Sequence, residues 1–145
     1  MKKNHIALIC LIAALTGCDA PTQKAAPKAP VSLVNPGQQA IELPSGEKIG
    51  LDGKLVKSFV DENKNGTYQR HVIEVPAEIM SVEGSLFYNL AKVGYQRKSK
   101  TESKEFKIYA YSKKGAPPIK ASYKPLTISG ASTAPLTRLV LSWKI

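Results

Sequence analysis

Residues 61–66 read Asp-Glu-Asn-Lys-Asn-Gly, with oxygen-bearing side chains at Asp61, Asn63 and Asn65 and a glycine where a tight loop must turn. This is the opening half of a calcium-binding loop. Calcium takes about six to eight oxygens, and such a loop closes with a bidentate glutamate at its twelfth position. Counted from Asp61 that position is Val72, and Glu74 comes too late. Asp61 is also the only charged ligand on offer, in a strongly basic chain. A hairpin turning at Asn65-Gly66 uses the same residues, because both central positions of a tight hairpin turn need positive φ. The expectation is a bend between two strands, with no metal.

Other candidates for chemistry are sparse. His71 is the one histidine beyond His5, and alternation sets it on the same strand face as Ile73 and Val75, as a partly buried structural side chain. A general base or zinc ligand needs convergent partners, and none is legible near it. No serine sits in a G-x-S-x-G setting, and no glycine-rich phosphate loop is present. Asp61 and Glu62 fall together in one turn. No catalytic residue, cofactor or metal ligand is expected. The most distinctive surface candidate is the alternating set Lys107, Tyr109, Tyr111 and Lys113. If Phe106, Ile108 and Ala110 face inward, this set faces solvent, where tyrosines offer flat amphipathic area and lysines offer charge. An anionic polymer, a sugar chain or a partner protein would suit it. The competing expectation has the tyrosines packed against a neighbour and the lysines guarding a strand edge from aggregation.

The elements that must position these residues follow from periodicity. Residues 47–51, 54–61 and 67–76 read as strands, the last two flanking Asn65-Gly66. Ile79, Val82, Leu86, Leu90 and Val93 recur at spacings of three and four, one stripe of a helix with Ser81 to cap its start and Gly94 its end. Phe87 widens the stripe, and Gly84 weakens the helix by up to about 1 kcal/mol. After Gly94 the period becomes two: strands are expected over 95–100, 105–113, 119–123 and 136–145, the last with Leu139, Leu141, Trp143 and Ile145 on one face. The expected fold is α+β, a small, mostly antiparallel sheet with one helix on a face.

The N-terminal part is different in kind. Lys2 and Lys3 precede an apolar run over residues 6–15 that is too short to span a membrane as a stable helix, which is the pattern of a signal peptide. Leu15-Thr16-Gly17-Cys18 resembles the lipobox of bacterial lipoprotein precursors, a resemblance confined to about the first twenty residues. It implies cleavage before Cys18, a diacylglyceryl group on the Cys18 thiol, usually an acylated new amino terminus, and a periplasm-facing location. Several acyl chains hold a protein far more firmly than one. Cys10 would leave with the leader, so no free thiol or disulfide would remain. Asp19 resembles the residue that keeps such lipoproteins in the inner membrane of enteric-type bacteria, with the outer membrane as the alternative.

Residues 18–40 are rich in Pro, Ala and Lys, with prolines at 21, 27, 30 and 36, and read as an extended tether. Within it Val31 to Val34 is apolar enough to dock, which would end the tether near Pro30. The divisions expected are therefore a signal peptide over 1–17, a lipidated linker over 18–40 and a single domain over 41–145. Formal charge is +10, and losing residues 1–17 removes two lysines and no acid, leaving +8. Such a domain is drawn to anionic surfaces, although scattered lysines also serve solubility alone. The function expected is a lipid-anchored binding or scaffolding module, accessory to an envelope complex such as secretion, pilus, conjugation or cell-wall machinery. Its partner would be another envelope protein or an anionic envelope polymer, with no nucleic acid in that compartment. The alternative is a periplasmic inhibitor or immunity-type protein acting on a hydrolase.

Overall fold

The computed structural model describes residues 31–103, 105–127 and 134–145. The expected signal peptide, Cys18, Asp19 and the expected tether as far as residue 30 lie outside the described residues, as do Lys104 and residues 128–133.

Three short strands come first. β1 (Ser32–Leu33) pairs parallel with β3 (Lys48–Leu51), and β2 (Gln39–Glu42) pairs antiparallel with the other edge of β3. Residues 31–40, expected as linker, therefore include two strands, so the folded unit begins near Val31, the position of the apolar Val31–Val34 run. Leu43-Pro44-Ser45-Gly46 forms the β2–β3 turn, with Gly46 at φ 88°, as the Pro/Gly punctuation requires.

A larger antiparallel sheet follows, built from β4 (Lys54–Asn63), β5 (Gly66–Val75), β6 (Gln96–Glu102), β7 (Lys107–Ser112), β8 (Ile119–Leu126) and β9 (Leu136–Lys144). Its spatial order is β4-β5-β9-β8-β7-β6, so the C-terminal strand β9 fills the centre between β5 and β8. The helix α1 (Ile79–Lys92) connects β5 to β6 and lies on one face. The fold is thus α+β, with one helix and a mostly antiparallel sheet.

α1 forms where the three-and-four spacing places it. Val82, Leu86 and Leu90 are buried, Ile79 is partly so, and Val93 is buried just past the last turn. Its end is a Schellman motif: the Gly94 amide donates to the Ala91 carbonyl at 3.0 Å and the Tyr95 amide to Leu90 at 2.9 Å, with Gly94 at φ 89°. Its start differs from expectation. Glu78 holds the cap position and makes no capping hydrogen bond with its side chain, while Ser81 lies exposed in the first turn. Phe87 is not in the buried stripe but at its rim, where the Arg97 guanidinium lies over its ring.

The core is one cluster between the sheet face and its cover. β5 contributes Ile73 and Val75, β9 Leu139, Leu141 and Trp143, and the small sheet Ile41, Ile49 and Leu51. The small sheet is fixed to the helix by Asn89, whose Nδ2 donates to the Gly50 carbonyl at 2.9 Å. Each aliphatic side chain fully withdrawn from water stabilises the fold by about 1.5–3 kcal/mol. Helix and small sheet share one face of the six-stranded sheet; its opposite face carries neither.

Candidate functional site

The Lys107, Tyr109, Tyr111 and Lys113 row is on the covered face, and this corrects the expectation that it faces solvent. Tyr109 is 5 % and Tyr111 0 % exposed. The expected period of two holds but its polarity is reversed: Phe106, Ile108 and Ala110 point to the opposite side. The core accepts the rings because their hydroxyls find partners. Tyr109 Oη donates to Glu102 Oε1 at 2.7 Å, and the Tyr111 and Tyr123 hydroxyls meet at 3.3 Å. Tyr109 lies opposite Ala121 in the register, so a large side chain meets a small one, and its ring sits edge-on to Tyr123. Burial, and for Tyr109 the neighbouring Glu102 as well, pushes both phenols up to about 12, so they stay neutral donors. The lysines stand at the rim of this core, their stems along it and their ends on local partners. Lys107 Nζ lies 2.8 Å from Met80 Sδ, and Lys113 forms an ion pair with Glu47.

Two polar clusters flank the core on the covered side. Glu47 accepts from both Lys113 and Ser45, and Ser45 Oγ lies 2.8 Å from the Tyr95 hydroxyl. Burial alone would raise the Glu47 carboxyl, but the Lys113 and Ser45 hydrogen bonds outweigh it and hold Glu47 below its ordinary range. Glu83, buried on α1, pairs with Arg97 of β6, and this pairing raises the Arg97 guanidinium. Each carboxylate is committed to a partner within the fold, so the clusters fasten the small sheet and α1 to the large sheet.

His71 sits on the covered face of β5, tilted against Trp143 with ring centroids 5.0 Å apart. Burial holds its imidazole below the ordinary value, and its Nδ1 is buried without a hydrogen-bond partner. The Asp61–Gly66 stretch closes the β4–β5 hairpin. Lys64 and Asn65 form the two-residue loop, and Asn63 pairs with Gly66, which takes φ 124°. The bend is therefore centred one residue earlier than Asn65-Gly66. Asn63 Oδ1 accepts from the Asn65 amide at 2.9 Å, and Asp61 is in an ion pair with Arg70 at 2.7 Å. Two of the would-be calcium oxygens are thus spent inside the hairpin.

The face opposite the helix is the candidate site. Register places its side chains in rows that cross the strands. The middle row is Val72, Val140, Ser122, Ile108 and Thr101, from β5 to β6. Two residues along the strands, one flanking row carries Arg70, Lys120 and Lys98; on the other side lie Glu74, Arg138 and Lys124. β4 adds Lys54 and Lys57, and β9 ends this face with Lys144. Among the described residues the only strand acids here, Asp61 and Glu74, are held by Arg70 and by Arg138, the latter at 2.8 Å. Lys98, Lys120 and Lys124 make no ion pair among the described residues. Shallow grooves lie on either side of Ile108. One of about 430 Å³ runs between Thr101, Ala110, Pro118 and Lys120. The other, of about 300 Å³, lies between Phe106, Ser122, Lys124, Arg138 and Val140, with Glu105 at its end. The surface is an apolar trough between cationic rims.

This face is not legible as a local motif, because its residues come from all six strands of the sheet. One signal was available. In β8, Lys120, Ser122 and Lys124 alternate with Ile119, Ala121 and Tyr123, which marks the odd-numbered side as the inside and brings a tyrosine with it. No protein-family model matches the chain, and neither a curated protein nor a solved structure matches it, so the functional reading stands on these residues alone.

Proposed function

We propose that the protein is a non-catalytic binding or scaffolding module, lipid-anchored at Cys18 and facing the periplasm as an accessory to an envelope complex, which holds an anionic partner on the uncovered face of its six-stranded sheet. The observation that carries this reading is the row pattern itself. Lys98 of β6 and Lys120 and Lys124 of β8, which make no ion pair among the described residues, flank a largely apolar strip, while the strand acids Asp61 and Glu74 are held by Arg70 and Arg138. Clustered charge of one sign attracts a complementary partner and speeds its encounter, while an apolar strip supplies contact once water leaves. The non-catalytic part is supported by Glu47 and Glu83, whose carboxylates are held in ion pairs with Lys113 and Arg97 within the fold. The anchor is supported by Leu15-Thr16-Gly17-Cys18 behind an apolar leader.

Two measurements test the two halves. Affinity purification from membranes should recover a partner with the native chain and lose it with K120E/K124E/R138E; equal recovery would remove the face from the reading. Cys18→Ser should give an unprocessed or soluble chain on fractionation and mass measurement. A Cys18→Ser chain still cut at the same bond and still membrane-bound would remove the anchor.

A further inference from the structure

Resting on that reading, we infer that the occupant of the open face is an acidic amphipathic helix of a partner protein, apolar along one stripe and carrying carboxylates on both sides of it. The dimensions carry the inference first. Strands lie about 4.8 Å apart, so the row from Val72 on β5 to Thr101 on β6 is about 19 Å long. A helix covers that length in about 13 residues. The flanking rows stand two residues to either side, about 13 Å apart at about 3.3 Å per residue. A helix with its side chains is about 10–12 Å wide, so its apolar stripe would rest over Val140, Ser122 and Ile108 while its flanks met Lys120 on one side and Lys124 and Arg138 on the other.

Shape and charge exclude the chain's own material. The grooves beside Ile108 are recessed below lysine rims, which receives a ridge of side chains. A second copy of this face would bring like charge against like charge. The preceding residues 19–30 carry Lys24 and Lys28 against the single acid Asp19, so they too are repelled. A polyanion without apolar groups would leave Val140 and Ile108 idle.

The test uses the full chain as made by the cell, held in a neutral detergent, and four probes. These are a synthetic helix of about fourteen residues with leucines on one stripe between glutamates, the same composition in scrambled order, polyphosphate, and phosphatidylglycerol vesicles compared with phosphatidylcholine ones. The vesicle pair cancels any contribution of the anchor itself. The helix should bind about tenfold more tightly than its scramble, a ratio worth about 1.4 kcal/mol. Val140→Thr, nearly isosteric, should shrink that ratio, and Lys120→Glu/Lys124→Glu should weaken binding of every anionic probe, with thermal melts verifying each variant and Lys120→Gln/Lys124→Gln as the gentler version. Equal binding of helix and scramble, or preference for polyphosphate or for the phosphatidylglycerol vesicles, overturns the helix inference and leaves an anion-binding face. Failure of every probe, or binding indifferent to the lysine changes, overturns the face together with it.

Discussion

Tyr111 is the residue whose place most changes the reading of the chain. As a fully buried ring whose hydroxyl meets that of Tyr123, it belongs to the core and not to a contact surface. Tyr111→Ala should therefore lower stability by about 3–5 kcal/mol, the scale for emptying a buried aromatic site. Tyr111→Phe should cost about 1–2 kcal/mol, by leaving the Tyr123 hydroxyl without its partner. Urea unfolding separates the two, and an unchanged midpoint for Tyr111→Ala would return the ring to the surface. His71 gives a pH signature. Its folded form is held below the ordinary 6.5 by burial, so on acidification the unfolded chain takes up the proton first. Stability contributed by neutral His71 is full above that value and declines as pH falls from about 7 toward the depressed folded value. Glu47, held below 4.5, loses its contribution only in a more acidic window. His71→Gln should flatten the melting temperature between about pH 7 and 5.5 relative to the native chain. At this scale the sequence was half legible. Period two is plain in β7, but its polarity is not: Phe106, Ile108 and Ala110 are the more apolar set, yet tyrosines with satisfied hydroxyls fill the core.

The elements were legible where periodicity is long. α1, the β4–β5 hairpin and the final strand fall close to where spacing and turn residues place them, with the hairpin loop one residue earlier and Ile145 exposed past the end of β9 instead of inward with Leu139, Leu141 and Trp143, because a long stripe or alternation leaves little room for another pattern. The two-residue β1 carries no such pattern, and its parallel pairing with β3 depends on a contact sixteen residues away in the chain. The start of α1 is a weak point that can be mended. Glu78→Asp places a short carboxylate where it can accept from the exposed amides of the first turn, and should stabilise the protein by about 0.5–1 kcal/mol, read as a rise of about 4 °C on melting. Gly53 is the opposite case. A methyl group there would stand 2.8 Å from the Glu74 carbonyl and 2.9 Å from Val75, where the chain crosses from the small sheet into β4. Gly53→Ala should lower the melting temperature, and a neutral outcome would mean that the crossing yields easily. The hairpin loop should ignore calcium: melts with millimolar calcium and with chelator should coincide, since Asp61 is held by Arg70 and Asn63 by its own turn.

For the whole molecule, stability and recognition are assigned to opposite sides of one sheet. Helix, small sheet, the buried tyrosines and both polar clusters are gathered on one side, while Lys98, Lys120 and Lys124, with no ion pair among the described residues, stand on the other. Charge reversal at Lys120 and Lys124 should accordingly leave the unfolding free energy within about 0.5 kcal/mol of that of the native chain. The same reversal at Lys113 should destabilise it, since Glu47 would lose its partner. Comparing the two variants by urea unfolding measures how complete the division is. The first strand then acquires a mechanical meaning. β1 holds to the edge of β3 over two residues, with the Lys48 amide on the Val31 carbonyl at 3.0 Å, and nothing of the main core depends on it except the flank of Leu33. Tension applied through the N-terminal segment therefore loads this short zipper before anything else. Its peeling would free residues 31–38 as slack, up to roughly 25 Å of added reach, with the rest of the fold intact. A force–extension trace should show one small, low-force step ahead of the main rupture, so that the domain gives way by lengthening its leash before it unfolds.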